Sequence, residues 1–273
     1  MVVGKNMGRL ALAITALLGG VAVCNSTVRA QAVQPLERAH AHNDYLHQRP
    51  LFDALAAGFC SVEADIYLVD DQLLVAHERD QVRPDRTLQA LYLDPLKARI
   101  AGNAGRVYRD GPAFTLLIDI KSEAEGTYRA LHAVLAKYSA MLSSVLDGRV
   151  QTGAVNVVIS GNRPQATMAA QPTRYCGIDG RLSDLASDKP AHLMPMLSDN
   201  WTLNFQWRGK GAMPKVEAKR LADIVHHAHA KGRVVRFWAT PESPALWQAL
   251  AAANVDLINT DHLAQLANFF SNK

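Results

Sequence analysis

The chain has 273 residues, with 29 Lys and Arg, 25 Asp and Glu, and three cysteines. Lys5, Arg9 and Arg29 stand in residues 1–32 without any acid, so 26 bases (29 less three) face 25 acids in the rest, and the pI near 9.0 makes no case for nucleic acid. Past residue 32 only Cys60 and Cys176 remain, too few for a disulfide scaffold; both lie in apolar runs, as two buried thiols or as one pair.

In chain order, a charged start is followed by the apolar run Leu10 to Val23 and by small-residue sites at Ala30 and Ala32. That is the layout of a secretory signal peptide, and the run is shorter than the about 20 apolar residues a membrane span needs. The expectation is a signal peptide over 1–32, one domain over 33–273, and a periplasmic or secreted protein. A lipid anchor at Cys24 would want a small residue where Val23 stands.

Eight strand-like runs follow: Arg38–His42, Ser61–Tyr67, Thr115–Ile120, Val155–Ser160, Arg174–Ile178, Leu193–Leu197, Val234–Trp238 and Val255–Ile258. Several are nearly continuous in apolar residues, as in strands buried on both faces. Gln72–Ala76, after Asp70 and Asp71, reads as a hairpin strand. Helix-like runs fall between: Pro50–Ala57, Thr87–Ile100, Glu125–Lys137, Pro214–Lys231, Pro241–Ala252 and Thr260–Phe270. Strands alternating with helices over this length predict a (β/α)8 TIM barrel, whose chemistry sits at the carboxyl ends of the strands.

The polar residues expected there form a series. His42 and Asn43 end the first strand. Glu63 and Asp65 stand two apart in the second and so share a face. Two inward carboxylates repel unless a cation lies between them, and oxygen ligands suit Mg²⁺ or Ca²⁺. The alternative is a pair of buried acids satisfied by Lys or Arg. The hairpin delivers His77, and Asp119 and Lys121 share one face at the end of the third strand. Acids for a cation, a lysine for an anion and two histidines for proton transfer make a coherent set.

This series resembles the phospholipase C-like phosphodiesterase superfamily, which includes glycerophosphodiester phosphodiesterases and phosphatidylinositol phospholipases C. His42-Asn43-Asp44-Tyr45, Pro50 to Leu55, Gly58 and Ser61 to Asp65 are similar to the branch named after fungal altered inheritance of mitochondria proteins. The resemblance implies a TIM-barrel phosphoric diester hydrolase acting on a small-molecule or lipid phosphodiester. It implies His42 and His77 as acid/base residues, and Asn43, Glu63, Asp65 and Asp119 as ligands of Mg²⁺ or Ca²⁺. Lys121 then meets the phosphate, and Trp238 stands like a strand-seven tryptophan of sphingomyelinases D. Asn43 stands where the phospholipases place a metal-ligating asparagine and glycerophosphodiesterases usually carry arginine, and Glu78 replaces the aspartate that commonly follows the second histidine. Phe237-Trp238 and Asn259-Thr260-Asp261 fit the last two barrel strands.

Two other readings have residues behind them. His40-Ala41-His42 matches the His-x-His metal pair of amidohydrolase-like barrels, though strands five and six end without histidine. A non-catalytic lipid- or sugar-binding barrel would use Trp201, Trp207 and Trp238 as cleft walls. Loops 179–192 and 198–213 are the candidates for substrate contact, with Trp201, Trp207 and Arg208 placed for a head group or for peripheral membrane contact. His226, His227 and His229 belong to a solvated outer helix face.

Overall fold

The computed structural model describes residues 1–4 and 33–272. Residues 1–4 are exposed and without secondary structure; the rest of the proposed signal peptide lies outside the described residues. Val33 onward forms one compact unit.

Eight strands build it: β1 (Leu36–Ala41), β2 (Phe59–Val69), β3 (Phe114–Ile120), β4 (Val155–Gly161), β5 (Gly177–Gly180), β6 (Met196–Asn200), β7 (Val234–Trp238) and β8 (Ile258–Thr260). They pair in parallel in the order β7-β6-β5-β4-β3-β2-β1-β8. A bridge between Arg236 and Leu257 joins β7 to the approach of β8, leaving a nearly closed (β/α)8 barrel. The helices are α1 (Phe52–Ala56), α2 (Asp94–Gly102), α3 (Ala124–Ala136), α4 (Gln165–Ala170), α5 (Trp201–Asn204), α6 (Lys215–Ala230), α7 (Pro244–Ala252) and α8 (Leu263–Ser271). In α6 the buried residues Leu221, Ile224, Val225 and Ala228 recur at one face, so a single stripe docks it on the sheet. The histidines His226, His227 and His229 share that outer helix; His226 and His229 are exposed.

β2 is the central element. Nine of its eleven residues are buried, because helices cover one side and the barrel interior takes the other. Register then puts Ser61 beside Thr115, Glu63 beside Leu117 and Asp65 beside Asp119. The hairpin strand Gln72–Val75 folds back antiparallel on β2, with Ile66 opposite Val75. His77 is thereby returned to the mouth.

Several boundaries differ from the sequence reading. Strand five splits: Thr173–Arg174 joins an outer three-stranded sheet with Ser144–Leu146 and Arg149–Gln151, and the barrel strand starts at Gly177. A Cβ at Gly177 would lie 2.4 Å from Pro195, so the approach of these two backbones requires glycine. Strand six starts at Met196 rather than Leu193, since Leu193 closes a turn onto Pro190 and Pro195 has no N–H to enter a ladder. Thr260 ends β8 instead of opening a helix, and α7 begins at Pro244 with Ser243 as its cap. Within the run 87–100, residues Gln89–Leu93 form a π-helical turn ahead of α2. Cys60 and Cys176 are both free and buried.

Candidate active site

The acids meet where expected. Ligand oxygens of Glu63, Asp65 and Asp119 lie within 4.8 Å of one another. Lys121 Nζ sits 3.2 Å from Asp65 Oδ2 and 3.4 Å from Asp119 Oδ2. Asp65 Oδ1 and Asp119 Oδ1 are buried without a hydrogen-bond partner. Orphaned carboxylate oxygens in a dry site are costly, and oxygen donors so spaced fit a hard divalent cation. Gly161, with φ of 67°, makes room for this: a Cβ there would fall 1.9 Å from Asp119 Oδ1.

The electrostatics differ across the three. Burial first, then the neighbouring charges, raises the Asp119 carboxyl to about 6 despite Lys121. Burial and the Glu63 charge likewise lift Asp65. Glu63 goes the other way: burial opposes its charge, but Arg236 and His40 more than offset this and hold it low. Arg236 Nη2 donates to Glu63 Oε2, and its Nε donates to Asn259 at 2.8 Å. His40 Nε2 lies 3.3 Å from the same Glu63 oxygen and Nδ1 lies 2.7 Å from Ser61 Oγ. Thus the alternative of acids satisfied by Lys or Arg holds at Glu63 Oε2, while Asp65 and Asp119 keep free oxygens.

Both histidines are anchored through Nδ1. His42 Nδ1 stands 2.7 Å from Asp261 Oδ1. A carboxylate only accepts, so Nδ1 carries the proton and Nε2 is the acceptor of the neutral ring. Burial lowers the His42 pKa, but the Asp261 bond and the Glu63 charge outweigh it and the net shift is upward. His77 Nδ1 stands 2.9 Å from the Tyr45 hydroxyl. That hydroxyl is also 2.6 Å from Asp65 Oδ2 and 2.7 Å from Asn43 Oδ1. Its single proton goes to the Asp65 carboxylate, the stronger acceptor, so His77 Nδ1–H donates to the hydroxyl oxygen and Nε2, 3.7 Å from Glu78 Oε1, is the acceptor of the neutral ring. Beside His77 a cavity of about 270 Å³ is bounded by Tyr45, Arg83 and Arg86.

Of the residues expected here, Glu63, Asp65, Asp119 and Lys121 form one cluster, and His77 joins it through Tyr45 and directly, with Nδ1 3.3 Å from Asp65 Oδ2. Asn43, in a left-handed conformation with φ of 48°, meets the Tyr45 hydroxyl through Oδ1 at 2.7 Å and brings Nδ2 to 3.0 Å from His42 Nδ1 and 3.4 Å from Asp261 Oδ1. Trp238 ends β7, half-buried. The readings for Trp201, Trp207 and Arg208 are corrected. Trp201 is fully buried, stacked on Phe205, and donates its indole N–H to Trp207 O. Trp207 is buried, and Arg208 caps the carbonyls of Phe205 and Thr202. They staple the loop; Leu203, 81 % exposed, is its outward apolar residue among those described. The His40-x-His42 metal pair also fails: His40 is fully buried and bonded to Ser61 and Glu63, and burial followed by Arg236 lowers it to about 3.

Tyr45, Asp261 and Arg236 were not singled out as site residues from sequence. Tyr45, three residues past the first strand-like run, and Asp261, at the start of the run Thr260–Phe270, do lie within the quoted motifs, and that placement is the available signal. Arg236 has none, being one charged residue in an apolar strand.

A parallel eight-stranded barrel with an acid–histidine mouth defines the class as a TIM-barrel phosphodiesterase of the glycerophosphodiesterase and phospholipase C type. The AIM6-like phosphodiesterase domain matches residues 28–178, and the glycerophosphoryl diester phosphodiesterase family matches residues 234–264. The chain belongs to the AIM6-like phosphodiesterase family. Altered inheritance of mitochondria protein 6 of Eremothecium gossypii is 30 % identical, over 87 % of this chain and 70 % of that one. Its homolog in Arthroderma benhamiae is 26 % identical, over 85 % and 83 %. A solved glycerophosphodiester phosphodiesterase from Parabacteroides distasonis shares the fold, with a TM-score of 0.52, 15 % identity, and coverage of 88 % of this chain and 99 % of that one.

These relatives overturn the expectation of a periplasmic or secreted protein. The similar curated proteins come from fungi, including Saccharomyces cerevisiae, and their name ties them to the inheritance of mitochondria. Most of the residues on which that expectation rested lie outside those described.

Proposed function

We propose that this protein hydrolyses a small-molecule or lipid phosphodiester with the help of Mg²⁺ or Ca²⁺. The observation that carries the reading is the pairing of two Nδ1-anchored histidines with an acidic cluster that keeps two orphaned oxygens. Family membership and the barrel support it from outside the site.

Glu63, Asp65 and Asp119 would hold the cation, with Asn43 at the rim. When bound, such an ion neutralises charge on a non-bridging phosphoryl oxygen. Lys121, already at the mouth, places a second positive group toward the same oxygens. Asp65 and Asp119 keep Lys121 charged: burial lowers its pKa, and the two carboxylates raise it further still. His42, lifted by Asp261, suits the acid role and protonates the leaving oxygen through Nε2. His77, held by Tyr45, takes the proton of the nucleophile through its own Nε2. Trp238 would flank the bound substrate.

The test is the kinetics of His42→Ala and His77→Ala. Each should lower kcat by at least ~10²-fold with the fold intact, the lower range for acid/base catalysis. Full activity in either variant would refute its role.

A further inference from the structure

The opposite end of the barrel holds a second cavity, of about 370 Å³, where the amino ends of β3 to β7 meet the outer three-stranded sheet. Its lining includes Thr115 near the start of β3, four residues before Asp119, so it lies on the face away from the acids. Much of the wall is apolar, with Val145, Val158 and Met196 among it. No Asp or Glu lines it among the described residues.

One buried charge faces this space. Arg174 is 3 % exposed and has no ion-pair partner among the described residues. Its Nε donates to Cys176 O at 2.9 Å, and its Nη2 donates to His192 O and to His192 Nδ1 at 3.0 and 3.1 Å. Nη1 takes part in none of these bonds. Arginine only donates, so His192 Nδ1 accepts and the proton of the neutral ring is on Nε2. Asn156 Oδ1 is likewise occupied, by Ser143 Oγ–H at 2.6 Å, which leaves its amide N–H₂ as the open group. The cavity therefore combines donors from Arg174, His192 and Asn156 with an apolar body and no carboxylate. A buried cation without a counter-ion is expensive, and an anion with an apolar tail answers both halves of the site.

We propose that this cavity binds a small amphiphilic anion, with its carboxylate or phosphate head on Arg174 and its apolar part against the barrel floor. The site is separate from the phosphodiesterase mouth and does not depend on the catalytic reading. Val150, 58 % exposed on the outer sheet, lines its entrance and can be changed without touching the core.

The experiment is calorimetric titration of hexanoate, hexyl phosphate and hexan-1-ol into the protein, Val150→Glu, Val150→Lys and Arg174→Gln. At least one of the two anions should saturate, with hexan-1-ol at least about tenfold weaker. Val150→Glu should weaken that anion by about fivefold and Val150→Lys should tighten it, since the two side chains differ mainly in sign. Arg174→Gln should abolish binding; should it fail to fold, the Val150 pair decides. Saturation by hexanoate alone or by hexyl phosphate alone would assign the head group. The proposal is overturned if neither anion saturates by ~10 mM, if hexan-1-ol binds as tightly, or if Val150→Glu and Val150→Lys shift affinity equally. Anion binding that survives Arg174→Gln in a folded protein would overturn it too.

Discussion

Tyr45→Phe removes one oxygen from the centre of the mouth and little else. The residue is 2 % exposed, and phenylalanine fills the same volume, so no cavity term enters. The lost hydroxyl contacts Asp65 Oδ2 at 2.6 Å, Asn43 Oδ1 at 2.7 Å and His77 Nδ1 at 2.9 Å. The bond to Asp65 is short and has a carboxylate acceptor, of a kind that contributes about 1.5–3 kcal/mol. Its removal also leaves Asp65 Oδ2 with only Lys121 Nζ at 3.2 Å and His77 Nδ1 at 3.3 Å, and Oδ1 still without a partner. Stability without cation should therefore fall by roughly 1–3 kcal/mol, read as a shift of the urea midpoint at constant slope. Left with the longer approach to Asp65 Oδ2 at 3.3 Å alone, the His77 ring should be held less firmly. We expect kcat on a turned-over phosphodiester to fall by about tenfold to a hundredfold, with KM changed less. Unchanged kcat and unchanged stability together would refute the assignment of Tyr45 as the group that positions His77 on Asp65.

In the proposed cation site, Asp119 would tie binding to pH. Its carboxyl is raised to about 6, so protons compete with the ion, and Mg²⁺ or Ca²⁺ affinity measured by calorimetry should weaken as pH falls through about 6, by up to about tenfold per unit. Without cation the sign reverses: a raised native pKa gives stability that is fully present below the unfolded value near ~4 and is lost as pH rises through about 6. The cation-free protein should thus unfold at higher urea at pH 5 than at pH 7, and saturating Mg²⁺ or Ca²⁺ should remove that difference. Arg236→Met should cost about 3–5 kcal/mol, because it strands the buried Glu63 charge beside His40 alone. Adding Glu63→Gln should recover most of the loss in a double-mutant cycle, and strictly additive effects would show that Arg236 does not neutralise Glu63.

β2 is legible because it is long, mostly apolar, and broken by Ser61, Glu63 and Asp65 at every second position; that pattern fixes both the strand and the face. The acidic cluster followed from it, since Asp119 has the register partner that alternation predicts. What stayed hidden depended on partners distant in sequence. Arg236 meets Glu63 across 173 positions and Asp261 meets His42 across 219, and no local spacing marks either. The tryptophans misled for a related reason. Trp201 and Trp207 stand in a polar loop, but tertiary packing on Phe205 and Phe237 draws Trp201 into the core. Arg174 read as the start of a barrel strand because Tyr175 to Ile178 continue it without a break; the outer sheet that takes it is made of strands of two and three residues, too short to show a period.

The most direct test of a metal-assisted phosphodiesterase is turnover of a panel of glycerophosphodiesters, phosphatidylinositol, lysophospholipids and sphingomyelin, each with EDTA and with Mg²⁺ or Ca²⁺ restored. Hydrolysis of at least one member, abolished by the chelator and recovered with the ion, is the predicted result. Hydrolysis indifferent to chelation, or no turnover of any member, would contradict it.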